Sequence, residues 1–165
     1  ILIAQHMPAH FTARFAQRLN ELFPLRIVEA SDRQALRSGE VYVARGGAHL
    51  RLEKSSGQLK CRVTDDEAVN GHRPSVDVLF HSVAKVAGAK AAGALLTGMG
   101  RDGAAGLKAM HLAGAYTVGQ CRESALVYGM PRAAAEIGAV TEEAHVEDIP
   151  AKLVNALLRR TASAA

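Results

Sequence analysis

Few side chains in this sequence combine chemical ability with a position where an open parallel sheet builds its sites. The most informative stretch is Leu95-Leu96-Thr97-Gly98-Met99-Gly100-Arg101-Asp102-Gly103-Ala104-Ala105-Gly106. An apolar strand runs out there into a glycine-rich loop, and a helix follows. Ligands of open α/β sheets bind at such carboxyl ends of strands. The loop offers main-chain N–H groups at a helix N-terminus and one carboxylate, Asp102. Three readings stand open. Gly98-x-Gly100-x-x-Gly103 has the letters and the strand–turn–helix context of a dinucleotide fingerprint, which belongs to nucleotide-binding oxidoreductases. Alternatively, Asp102 orients a catalytic base while the N–H groups stabilise an oxyanion. The third reading is a purely structural turn. The fingerprint asks for an acid at the end of the next strand to hold a ribose. That strand, Ala115 to Val118, runs out into Gly119-Gln120-Cys121, and Glu123 comes too late.

Gln5-His6-Met7-Pro8 also sits at a strand end. A lone histidine is ordinarily structural, but a strand-end histidine in a chain whose other loop supplies a carboxylate suits a general base oriented by Asp102. His6 and His10 are four apart, yet Met7-Pro8 stands where a zinc protease H-E-x-x-H motif needs its glutamate, so no metal is expected. Such a pair requires a nucleophile, and no G-x-S-x-G elbow occurs in the sequence. Ser75 and Ser82 fall in an expected helix, Ser55 and Ser56 in a turn, and Ser31 and Ser38 near short strands. Cys121, at a strand end, is the alternative nucleophile. Read from the residues alone, the chain has a base and an orienter without a convincing nucleophile.

The elements that must position these residues alternate. Ile1 to Ala4 is a short apolar strand. Phe11, Phe15, Leu19 and Leu22 recur at helical spacing between Pro8 and Phe23, with Pro8 suited to a first turn. From Arg26 to Thr64 short alternating segments, Val41 to Val43, His49 to Leu52 and Leu59 to Val63, predict a small antiparallel set separated by Gly46-Gly47 and Ser55-Ser56-Gly57. A helix is predicted over Ser75 to Val86 with Ser75 as N-cap. Strand Ala91 to Leu96, a helix through Met110 and Leu112, strand Ala115 to Val118, a helix near Pro131 and a last helix from Ile149 to Arg160 complete the pattern. The Ala/Ser tail after Arg160 should fray. Strands alternating with helices predict an α/β, doubly wound, mostly parallel sheet with helices on both faces and a small antiparallel extension.

Composition agrees with one globular domain. The 165 residues are 48% hydrophobic but only 4% aromatic, so Ala, Val and Leu must fill the core. Lys and Arg number 20 against 16 Asp and Glu, for a net charge of +4. They are spread along the chain with no aromatic interleaving, so nucleic acid is not an expected partner. Cys61 and Cys121 lack C-x-x-C spacing and read as free thiols of a reducing compartment. No stretch reaches a membrane-spanning length, and a cytoplasmic location is expected. The opening at Ile1, inside a strand pattern and without Met, reads as the start of a fragment.

Four blocks, taken together, are far more specific than any one of them. They are Gln5-His6-Met7-Pro8 with Phe11-Thr12; Asn70-Gly71-His72-Arg73-Pro74-Ser75-Val76-Asp77-Val78-Leu79-Phe80; Leu96 to Ala104; and Gly129-Met130-Pro131-Arg132. In this order they resemble the signature blocks of the CheB-type chemotaxis methylesterase domain and cover nearly the whole chain. The resemblance implies a Ser-His-Asp enzyme, a protein-glutamate methylesterase and glutamine deamidase acting on methylated chemoreceptor cytoplasmic domains. It implies that His6 is the catalytic histidine and Asp102 the triad aspartate. The Met99 backbone N–H would line the oxyanion hole, worth about 3–4 kcal/mol per donor in comparable sites. No metal or organic cofactor is implied.

The family's nucleophile sits in a Gly-x-Ser-Thr-Gly-Gly turn upstream of the histidine strand, and that turn does not occur here. The expectation is therefore residues 1–165 as a single catalytic domain lacking its N-terminal part, with a receiver domain as partner in cis or trans and no membrane insertion. A non-catalytic binding module remains a further alternative.

Overall fold

The computed structural model describes residues 1–162, with side chains as far as Arg159. It divides into two compact units, Ile1–Ser82 and Val83–Ala165.

The first unit opens with strand β1 (Leu2–Ile3), helix α1 (Ala9–Leu22), β2 (Arg26–Glu29) and β3 (Glu40–Val43). These strands form a parallel sheet of order β1-β3-β2, with Leu2 opposite Tyr42 and Ile27 opposite Val41. Ala16, Ile27, Val41 and Val43 are buried together, with Ile3, Phe15 and Leu19 packed against them. The helical spacing of Phe15 and Leu19 thus aims one face of α1 at the sheet. Pro8 caps α1 from outside instead of occupying its first turn.

The antiparallel extension is narrower than the sequence suggested. Only β4 (His49–Ser55) and β5 (Gln58–Thr64) pair antiparallel, with Leu52 opposite Cys61. Residues Arg26–Glu29 and Glu40–Val43 belong instead to the parallel sheet. Their short alternating pattern misled because a two- to four-residue strand carries no sign of its partner's direction. Helix α2 (Val76–Ala87) begins as expected: the Ser75 hydroxyl accepts the Val78 N–H at 3.4 Å.

The second unit carries β6 (Ala92–Leu95), α3 (Ala104–Leu112), β7 (Tyr116–Gln120), α4 (Met130–Glu136), β8 (Glu142–Ala144) and α5 (Ile149–Ala162). Its sheet, of order β6-β7-β8, is parallel throughout. Alternate residues of a strand face opposite sides, and here each side has its own helix. A Cβ on Gly93 would meet Leu107 and Met110 of α3 at 3.1 and 2.9 Å. Neighbouring Ala94 packs instead with Val118, Ala144, Ile149 and Leu153, under α5. Helices therefore cover both faces of this sheet. The polar strand Glu142–Ala144 escaped the hydrophobicity pattern, and α5 runs to Ala162, past its expected end. The remaining Ala/Ser tail lies outside the described residues. Among the described residues no helix is long and apolar enough to cross a membrane.

Candidate active site

His6 lies three residues past the end of β1, in the loop that enters α1. Two contacts pin that loop. Gly46 lies against it so closely that an added Cβ would sit 2.5–2.6 Å from the Pro8–Ala9 backbone. The Thr12 hydroxyl accepts the Gly46 N–H at 3.0 Å from within α1. The half-buried His6 imidazole stacks face to face on His72, with ring centroids 3.8 Å apart and planes 5° from parallel.

His72 comes from a tight turn. Val69 and His72 exchange N–H···O bonds of 3.1 and 3.0 Å, and Asn70 and Gly71 between them have φ of 54° and 77°. Both central residues are left-handed, as a type I′ turn requires, and Asn-Gly is its preferred pair. The Asn70 amide donates to Asp77 Oδ2 at 2.7 Å. Beyond the turn, the Arg73 guanidinium donates to the Asp65 and Asp66 carbonyls at 2.7 and 3.1 Å. Buried His49 ties the flanks together. Its Nδ1 accepts the Ser75 N–H at 3.2 Å, so Nε2 carries the proton for the Glu67 carbonyl at 2.9 Å.

Met99 and Asp102 share one loop of the second unit, between β6 and α3. Asp102 is 1% exposed, and Gly103 after it caps α3 in the left-handed region with φ 88°. Negative charge next to a helix N-terminus is favoured by the helix dipole. Met99 is 83% exposed at the loop tip, and Gly100 beside it has φ 91° in open space.

A second loop clamps this one. Thr97 Oγ1 accepts the Val127 N–H at 2.8 Å, and the Gly98 N–H donates to the Val127 carbonyl at 3.0 Å. The Gly98 carbonyl accepts both the Gly129 and Met130 N–H groups, at 3.1 and 2.8 Å. Backbone N–H groups on a loop held this firmly suit the stabilisation of an oxyanion.

Gln120 stands at the end of β7, where a dinucleotide site keeps its ribose acid. Its amide is committed elsewhere, accepting the Thr97 N–H at 2.7 Å and donating to the Ser124 carbonyl at 2.8 Å. Cys121 Sγ, just past the end of β7, lies 3.5 Å from Ser124 Oγ. Burial pushes the Cys61 thiol up to about 11, which keeps it protonated and inert. Among the described residues no cluster of His, Cys, Asp and Glu is arranged to hold a metal.

Sequence reasoning singled out His6, Met99 and Asp102 as candidates but gave no role to the turn that presents His72 or to the clamp of residues 124–130. Asn70-Gly71 was a legible turn signal. Nothing in the spacing said that the ring following it would face His6.

A family model described as CheB methylesterase matches residues 1–153. The protein-glutamate methylesterase/protein-glutamine glutaminase 1 of Caulobacter vibrioides is 57% identical over 143 residues, covering 86% of this chain and 41% of that protein. The protein of the same name, without the numeral, from Yersinia pestis is 49% identical over 154 residues, covering 93% and 44%. The chain thus spans less than half the length of these curated relatives. The crystal structure of the Thermotoga maritima CheB methylesterase catalytic domain superposes with a TM-score of 0.90 at 32% identity, over 94% of this chain and 82% of that one. The four blocks, the parallel α/β units and matches of this breadth converge on one assignment: the chain belongs to the CheB methylesterase family.

Proposed function

We propose that residues 1–165 are the catalytic domain of a protein-glutamate methylesterase. It hydrolyses γ-glutamyl methyl esters on chemoreceptor cytoplasmic domains and deamidates receptor glutamines. The observation that carries this reading is the superposition on a solved methylesterase catalytic domain over 94% of the chain.

In this mechanism His6 is the general base and Asp102 its orienter. A seryl Oγ from a Gly-x-Ser turn outside these 165 residues attacks the ester carbonyl as His6 takes its proton. The tetrahedral oxyanion is met by the Met99 N–H. Its collapse breaks the C–O bond, and His6 returns the proton to the departing methoxide, which leaves as methanol. Water then attacks the acyl-serine by the same route and releases glutamate. With a glutamine substrate the leaving group is ammonia. Asp102 holds the imidazole tautomer and stabilises the imidazolium without taking the proton itself. No metal or organic cofactor enters any step. A cytoplasmic location and a receiver domain in cis or trans belong to the same reading.

The test is methanol release from a methylated receptor by the longer protein carrying that turn, compared with its His6→Ala variant. Loss of turnover in the variant supports the assignment. Undiminished turnover sinks it.

A further inference from the structure

We propose that His72 is the positioning residue for the His6 imidazole, a flat plate that fixes the plane in which the general base works. The proposal rests on the esterase reading and adds a residue to it.

The argument starts from the ring's freedom. The outer torsion of a histidine side chain is broad and roughly two-fold rather than sharply staggered. A general base must nevertheless present one ring nitrogen to the nucleophile's proton and the other to its orienter, each within about 2.6–3.2 Å. Rotating the ring about its own bond loses both partners at once. His72 lies 3.8 Å from His6 across a 5° interplanar angle, so rotation of either ring out of the shared plane drives it into the other.

His72 itself is held far more firmly than its surroundings require. Residues 65–71 form an exposed segment with no regular structure to support it. Yet the turn closes with two backbone bonds, Asn70 is moored to the buried Asp77 side chain, and Arg73 is tied to two carbonyls. The Arg73 carbonyl also accepts the Gly47 N–H at 3.0 Å, from the residue next to the glycine that pins the His6 loop. The backbone of His72 is satisfied by Val69. What this scaffold presents is the ring.

Stacking needs a flat face more than a particular heteroatom, and this separates positioning from proton transfer. In the full-length protein, His72→Ala should lower kcat about 10- to 100-fold, the cost of a misplaced base, with KM within about twofold of wild type because no substrate contact is lost. His72→Phe, which restores a planar face without a titratable group, should recover kcat to within about threefold of wild type on the same scale. The His6 ring-proton NMR resonance should move in His72→Ala, as the ring current of its neighbour disappears, and return toward its position in His72→Phe. If His72→Ala fails to fold, His72→Leu, which keeps bulk without a flat face, takes its place with the same expectation.

An unchanged kcat in the ring-less variant, a loss confined to KM, or a failure of phenylalanine to rescue would each overturn the positioning role. His6→Ala, measured alongside, separates the two readings. Its retention of turnover removes the esterase assignment itself, whereas its loss beside an unaffected His72→Ala removes only this proposal.

Discussion

Gly129 lies against the Gly98 carbonyl so closely that a Cβ added at Gly129 would sit 2.6 Å from that oxygen, and within 3.2 Å of Gly100 N and Met99 Cα. Its φ of −100° is open to any residue, so only space demands glycine there. Gly129→Ala must push the tip of the Met99 loop away. The expected result is a roughly 100-fold fall in kcat/KM with a stability loss of about 1–3 kcal/mol. Leu126→Ala is the control, since that side chain is 92% exposed on the neighbouring loop and its loss should leave packing unchanged. Steady-state kinetics with thermal melts on both variants decide the matter. Wild-type kinetics in Gly129→Ala mean that this loop does not serve the reaction.

Asp102 allows a sharper substitution. It is buried at the start of α3, and asparagine matches it in volume and shape. In the proposed triad, Asp102→Asn leaves the geometry but favours the wrong imidazole tautomer, a change that costs about 10⁴-fold in kcat in related chemistry. A kcat loss below about tenfold in correctly folded Asp102→Asn, monitored by circular dichroism, would show that the carboxylate is structural.

How legible this was depended on what each segment had to pack against. His6 and Asp102 stood out as candidates because each follows an apolar strand whose run-out into polar or glycine-rich sequence marks a sheet edge. α1 and α2 could be found because a helix face repeats over several turns. β2 and β3 were harder, since four residues each fit either sheet direction, and the strand on the other side of β3, β1, contributes only Leu2–Ile3 to the ladder. β8, Glu142-Glu143-Ala144, was invisible because an edge strand can keep polar residues, and two of its three are glutamates. The His6–His72 stack joins residues 66 apart in sequence, and only the folded backbone relates them.

Glu142 of β8 gives a pH-dependent expectation. The Lys152 ammonium, 2.6 Å from Glu142, holds that carboxyl below its ordinary value, and the Tyr116 hydroxyl adds to the effect. A carboxyl lowered by folding stabilises the fold above its unfolded pKa, about 4.3, and that contribution fades as pH falls through the folded value. Burial first, and then Glu142, pushes the Tyr116 phenol up to about 12, so its share persists at neutral pH and is lost as pH rises through that value. The pair is partly exposed and screened, so Lys152→Met should cost only about 0.2–1 kcal/mol at pH 7. Urea melts should show the gap between the two proteins closing below about pH 4. A gap that persists at pH 3 assigns it to lost packing of the lysine stem instead.

His49 offers a test of the scaffold behind the His72 turn. Its ring is fully buried and joins the Ser75 N–H to the Glu67 carbonyl. His49→Leu keeps apolar bulk but strands both backbone groups, so a loss of about 2–4 kcal/mol is expected in denaturant unfolding. His49→Gln, which retains a donor and an acceptor, should recover part of it. Equal stability of the leucine variant and wild type would mean that water or a local shift satisfies both groups.

The last expectation concerns the nucleophile. Ser75 is buried at the N-cap of α2, and the Ser82 hydroxyl donates to the Leu79 carbonyl at 2.6 Å while accepting the Leu52 N–H at 2.8 Å. The Ser124 hydroxyl accepts the Gln120 amide and the Val146 N–H. Ser31, Ser38, Ser55 and Ser56 fall in turns or at the end of β4, and none stands on the sharp turn between a strand and a helix that exposes a hydrolase nucleophile. Under the esterase reading, residues 1–165 made alone should release no methanol above the residual rate that binding and an oxyanion hole supply without a nucleophile. The longer protein should release it readily. A fluorophosphonate, which phosphonylates an activated serine by displacing fluoride, should label the longer protein at one site. Peptide mapping should place that label outside residues 1–165, and His6→Ala should prevent it by removing the base that activates the hydroxyl. Labelling at any serine within these residues, or full activity of the 165-residue chain with Cys121 alkylated as the inactivating event, would mean that the triad has been drawn around the wrong nucleophile.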